Sequence, residues 1–178
     1  MNDKLSKALR RRQVLDNLKP YIQGAGVPVT EDNGVKLSFN ESPYGPAPEA
    51  RQAYIDASNS IGTYGDGQQT ALREALAKVH DLSSENILCG NGSDELISLL
   101  IRAFLDSGSE IVLSENGFVN TRTHAIVAGA KIVSVAEKNW TVDVEAVLAA
   151  ISPETRIVSI CNPNNPAGTF VDLSLIHI

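Results

Sequence analysis

The chain is poor in several things at once. It has two cysteines, one methionine and one tryptophan in 178 residues, and only 5% of its residues are aromatic. Cys89 and Cys161 each end an apolar run without CxxC or metal-ligand spacing, which excludes a disulfide scaffold and a zinc cluster and predicts buried, reduced thiols. No stretch approaches the roughly 20 apolar residues of a membrane span. The N-terminus lacks the apolar core of a signal peptide, so a soluble, cytoplasmic protein is expected. Positive charge is also scarce: 15 Lys and Arg stand against 21 Asp and Glu, a formal net charge of -6. That balance argues against a nucleic-acid surface, which needs clustered cations. Arg10-Arg11-Arg12 is the one basic cluster, and Asp3 and Asp16 at helical spacing read it as a solvated helix face.

What is present is an α/β pattern. With 43% apolar residues the chain can build one ordinary core. Residues 1–35 read as an arm and link, a polar helix through Leu18 followed by a Gly/Pro-punctuated stretch. From about residue 36 to 170 short β-rich runs alternate with helical ones, the signature of a three-layer αβα domain around a mostly parallel sheet. Strands are predicted at 86–89, 110–113, 131–135 and 156–161. Helices are predicted at 48–58, 69–80, 95–105 and 143–151, the third apolar enough all round to be a buried helix.

In such sheets ligands sit at the carboxyl ends of strands. One such junction is Gly90-Asn91-Gly92-Ser93-Asp94-Glu95, running straight into an apolar helix. The glycines allow close backbone approach, and the amides of Gly92, Ser93 and Asp94 with the Ser93 hydroxyl could cup a phosphate. The same residues also read as an ordinary N-cap with dipole-matching acids. The other junction is Asn162-Pro163-Asn164-Asn165-Pro166-Ala167-Gly168-Thr169. Two prolines and three asparagines in eight residues make a stiff loop holding amide side chains at the sheet edge, with an Asn-Pro bond a candidate for the cis form. His80 and His124 show no carboxylate or cysteine arranged around them as a ligand set or catalytic partner and read as ordinary surface or packing residues.

The second junction resembles the Asn-Pro-x-Asn-Pro-Thr-Gly signature of the class I/II aminotransferases, with Ala167 in place of the usual Thr. The resemblance runs from about Asn17 to Phe170, through Asn17-Leu18-Lys19-Pro20-Tyr21, Leu37 to Pro46, Tyr64-Gly65-Asp66-Gly67 and Gly90 to Phe104. Within that superfamily it is nearest the histidinol-phosphate aminotransferases. It implies the first part of the large domain of a fold-type-I enzyme with pyridoxal 5'-phosphate as cofactor. The implied reaction moves an amino group between histidinol phosphate and 2-oxoglutarate in histidine biosynthesis. An aromatic or broad-specificity aminotransferase is the alternative, and a non-catalytic phosphate-binding remnant is the alternative of another class.

Carried over by position, Asn165 would bond the phenolic oxygen of the cofactor and Gly92, Ser93 and Asp94 would cup its phosphate. Phe118 would stack on the ring, although a lone Phe at a strand-to-helix junction is also an ordinary core residue. Tyr64 would reach the phosphate in the neighbouring subunit of a homodimer, and Tyr21 and Asn40 would lie near the substrate pocket. In the family the lysine that bonds the cofactor, the carboxylate on its ring nitrogen and the substrate-carboxylate anchor all come after position 178. None of Lys4, Lys7, Lys19, Lys36, Lys78, Lys131 and Lys138 sits in a Ser-x-Ser-Lys-like context. The expectation is therefore an N-terminal portion that does not transaminate alone, with 171–178 as a non-native tail and an exposed sheet edge.

Overall fold

The computed structural model describes residues 12–18 and 40–175. They belong to two compact units, one made of Met1–Leu18 with Cys89–Ile178, the other of Lys19–Leu88.

The larger unit is built on a three-stranded parallel sheet of β1 (Glu110–Ser114), β2 (Lys131–Val135) and β3 (Thr155–Ser159), in the order β2-β1-β3. β1 is the centre and is buried along its whole length. Its side chains alternate between two apolar clusters, as the two-residue period of a strand requires. Ile111 and Leu113 pack with Ile101, Leu105 and Ala125 on one face. Val112 packs with Val135, Val142, Val147 and Val171 on the other. The first face is covered by α3 (Gly92–Phe104) and α4 (Val119–Ala128), the second by α5 (Val144–Ala149), which gives the expected three layers. Ile111 and Val112, both at 0% exposure, are the keystones of the two clusters.

A second anchor holds the amino ends of the strands. The buried Glu110 carboxylate accepts from Lys131 Nζ at 2.5 Å and from Ser152 Oγ at 2.6 Å. The Lys131 ammonium, then the Ser152 hydroxyl, hold that carboxyl below the ordinary glutamate range, and Glu110 in turn raises Lys131.

The smaller unit carries α1 (Pro48–Ala57) and α2 (Thr70–His80). α1 begins on Pro48, whose missing N–H costs nothing at a first helical position. α2 is fastened by Arg73, whose guanidinium donates to the Ser84 carbonyl at 2.6 Å. Neither helix buries a residue within its own unit.

Five expectations need correction. Residues 86–89 form no strand: Ser84–Asn86 is a 3₁₀ turn, and the apolar run after it is extended without a ladder. Strand propensity at Ile87 and Leu88 counts only where a neighbouring strand supplies the hydrogen bonds. α4 was not anticipated as a separate element, because Val119, Thr121 and Thr123 are poor helix formers and its apolar stripe is faint. α3 starts at Gly92, earlier than expected, and buries only Ile101; Leu99, Leu100 and Phe104 are exposed, so it is one-sided. Both cysteines are half-buried rather than buried, and both are free. Of the expected polar helix through Leu18, the described part is a 3₁₀ turn at Gln13–Asn17. The expected boundary at 35/36 lies outside the described residues. Among the described residues no helix is long and apolar enough to cross a membrane.

Candidate functional site

At the carboxyl end of the sheet, the end of β3 and the start of α4 meet the N-terminus of α3 around a cleft of about 420 Å3. Ser93, Phe118, Thr121, Ser159, Cys161 and Asn165 are among its walls. Three of these, Ser93, Phe118 and Asn165, were singled out in the sequence and are far apart along the chain.

Ser93 sits in the first turn of α3. Ahead of it, Glu95 reaches back so that its carboxylate accepts from the Asn91 amide at 2.6 Å and from Asn91 Nδ2 at 3.2 Å. This resembles the reciprocal arm of a capping box, reached from the fourth helical residue instead of the third. The other arm is missing, since the Asn91 side chain caps no amide of the helix. The Gly92 amide turns back to the Gly90 carbonyl at 2.8 Å, so the cup is left to the amides of Ser93 and Asp94. Those amides, at the positive end of a 13-residue helix, suit an anion. Gly92 itself has φ +82 and open space where a Cβ would stand.

The Asp94 carboxylate is held from α4: Asn120 Nδ2 donates to its Oδ1 at 2.8 Å and His124 Nε2 lies 3.2 Å from the same oxygen. This corrects the reading of His124 as a residue with no carboxylate nearby. The pair is 30 positions apart, and only the fold of α4 beside α3 brings it together.

Asn165 is presented by the loop that follows β3. Both Asn162–Pro163 and Asn165–Pro166 are cis, as anticipated for an Asn-Pro bond here. The loop is closed by Asn164 N–H to the Thr169 carbonyl and Gly168 N–H to the Asn164 carbonyl, each at 2.7 Å, with Gly168 in the left-handed region at φ +73. Asn162 pins its base: Nδ2 donates to the Val171 carbonyl at 3.1 Å, and Oδ1 accepts from the Val171 amide at 3.0 Å. Phe118, half-buried, caps the start of α4 and faces the same cleft. An aromatic face, an amide side chain and a helix N-terminus around one cleft can hold a planar aromatic ligand with an anionic group.

Tyr64 is fully exposed and Asn40 is exposed at φ +57, both in the smaller unit. Tyr21 lies outside the described residues. Sequence reasoning missed Thr121, Ser159 and Cys161 as walls of the cleft, and Cys161, last in an apolar run, was read only as core. It also missed Glu137, which gathers Ser114, Asn116 and Asn164 and had no flanking motif to betray it. Among the described residues no group of three or more His, Cys, Asp and Glu could hold a metal ion.

Comparison with known proteins bears on this arrangement. A family model described as aminotransferase class I and II matches residues 32–177. The chain is similar to a histidinol-phosphate aminotransferase of Maricaulis maris, 42% identical over 170 residues that cover 96% of this chain and 47% of that protein. It is also similar to one of Cereibacter sphaeroides, 38% identical over 167 residues, covering 94% and 46%. The chain thus spans about half the length of the relatives it matches. Among solved structures, histidinol-phosphate aminotransferase of Sinorhizobium meliloti, in complex with pyridoxal 5'-phosphate, superposes with a TM-score of 0.69 at 32% identity, covering 72% of this chain and 35% of that one. With a parallel αβα sheet, the Asn-Pro loop at its carboxyl edge and a family match over most of its length, the chain belongs to the class I and II aminotransferases.

Proposed function

We propose that this chain forms the cofactor-holding part of a pyridoxal 5'-phosphate-dependent histidinol-phosphate aminotransferase. The whole protein would exchange an amino group between histidinol phosphate and 2-oxoglutarate in histidine biosynthesis. The reading rests above all on one cleft, whose walls include Ser93, Phe118 and Asn165, three residues to which the family resemblance assigns three parts of one ligand.

When bound, pyridoxal phosphate supplies an electron sink for the bonds at the substrate's α-carbon. This chain's task is to hold and orient it. The Ser93 and Asp94 amides and the Ser93 hydroxyl donate to the phosphate, at a helix end that favours the dianion. Phe118 offers a ring face to the pyridine; it has no hydroxyl and contributes stacking alone. Asn165 donates its amide N–H to the phenolic oxygen, a neutral donor that leaves the charge there largely in place. Tyr64 serves the equivalent phosphate of a second copy, which makes the working unit a homodimer. Tyr21 and Asn40 stand on the substrate side. Residues 36–170 form the first part of the large domain, with 1–35 as its arm.

The test has two stages. Adding pyridoxal phosphate to the 178-residue chain should quench the fluorescence of its single tryptophan, Trp140, saturably, and Asn165→Ala should weaken that binding about tenfold, the worth of one good hydrogen bond. In the whole protein, histidinol phosphate should exceed phenylalanine and tyrosine as amino donor in kcat/KM. A preference for the aromatic donors would replace the substrate assignment and leave the cofactor reading standing.

A further inference from the structure

Three strand exits converge on one side chain that belongs to none of the motifs. Glu137 lies just beyond β2, half-buried. Its Oε1 accepts from the Ser114 hydroxyl at the end of β1, from the Asn116 amide at 3.3 Å and from Asn164 Nδ2 at 3.1 Å. Its Oε2 accepts from Asn116 Nδ2 at 3.1 Å. Asn116 stands two residues before Phe118, and Asn164 immediately precedes Asn165. Asn164 is 4% exposed; among the described residues its Oδ1 has no hydrogen-bond partner, and its Nδ2 donates to Glu137.

We propose that Glu137 is a positioning residue of the cofactor site, fixing the loop that carries Asn165 against the loop that carries Phe118. This rests on the cofactor reading above and adds a residue to it.

Only an ionised carboxylate answers all the donors, since it accepts on both oxygens and donates nothing. Burial pushes the Glu137 carboxyl up, but the bonds from Ser114, Asn116 and Asn164 together outweigh it and hold the group below the ordinary glutamate range. A glutamine of the same shape would turn an NH2 group toward donors, so the clamp would open on at least one side. The Asn-Pro loop has its own internal bonds and would keep its turn. What it would lose is its fixed distance from the β1 exit, and with it the spacing between ring face and amide donor.

The experiment compares the wild-type 178-residue chain with Glu137→Gln, Glu137→Asp and Asn116→Ala. Two quantities are read: hydrogen exchange of residues 162–169 against that of β1, and the pyridoxal phosphate Kd from Trp140 quenching. Glu137→Gln should speed loop exchange while β1 stays protected, and should raise Kd about tenfold, as loss of a charge-assisted bond does. Glu137→Asp, which keeps the charge, should recover part of both effects. Asn116→Ala, which keeps the carboxylate and removes the one donor to its Oε2, should give the same effects in smaller measure and serves if the glutamine variant does not fold. Wild-type loop exchange or a wild-type Kd in both Glu137→Gln and Asn116→Ala would overturn the proposal. Absence of saturable quenching in the wild-type chain would overturn the cofactor reading and the positioning role with it, an outcome told apart because every variant would then also fail to quench.

Discussion

Replacing Gly90 by alanine tests the construction of the α3 N-terminus, since the added methyl has a defined cost there. Its Cβ would stand 2.9 Å from Glu95 Oε2, closer than real Cβ contacts come, and 3.0 Å from Leu96 Cδ2, tighter than most of them. The carboxylate is the far end of an exposed, flexible chain and can swing away, but only by releasing the Asn91 amide it binds at 2.6 Å. Because water can replace that bond at an exposed site, the loss is about 1 kcal/mol. Nudging the half-buried Leu96 adds to it, at the low end of the roughly 1–3 kcal/mol of overpacking. Against these stands a gain of about 0.4–1 kcal/mol from a stiffer unfolded chain. The clash should win, leaving Gly90→Ala about 1 kcal/mol less stable in urea denaturation, with weaker binding of pyridoxal phosphate as the first turn of α3 shifts. A double-mutant cycle isolates the cause. In a Glu95→Ala background the carboxylate is already gone, so Gly90→Ala should cost clearly less there. Equal costs in both backgrounds, or no cost in either, would refute the account of how this helix end is built.

Two further predictions concern the sheet. Ile111→Ala empties the centre of the first cluster and should lower stability by about 2–5 kcal/mol in the same denaturation assay, with no special effect on cofactor affinity beyond unfolding. The pH dependence follows from Glu110 and Glu137, both held below the ordinary value of 4.5. A depressed folded-state pKa gives stability that is fully present above the unfolded value and disappears as pH falls through the folded one. Melting temperature should therefore fall as pH is lowered from about 5, and the fall should be shallower in Glu110→Gln. The raised Lys131 acts in the opposite direction: its contribution holds below 10.5 and fades as pH rises through its folded value.

Much of the fold was legible because its signals are local. β1 and β2 stand where four- and five-residue apolar runs predicted them, and Pro48 and Thr70 open helices close to the expected places. The failures are of two kinds. Ile87 and Leu88 have strand character but no ladder, a property of neighbours that no local window contains. α4 has weak helix formers, and packing against α3 and β2 decides its state. The site divides in the same way. Ser93 and Asn165 could be read from Gly-rich and Pro-rich punctuation, although only Asn165 in fact follows a strand. Glu137, 27 residues from Asn164, and His124, 30 from Asp94, are joined to the site by tertiary structure alone.

The Asn-Pro loop holds its turn with Ala167 in place of the family's usual Thr. Asn162 grips the Val171 backbone through both ends of its amide and so closes the base of a loop of residues 163–170, which Glu137 also holds from the side through Asn164. Inside the loop, the ties are backbone bonds between Asn164, Gly168 and Thr169, with the Thr169 hydroxyl fastened to the Trp140 carbonyl. None of these ties passes through the side chain at 167. A change at Asn162, by contrast, would release both bonds to the Val171 backbone at once.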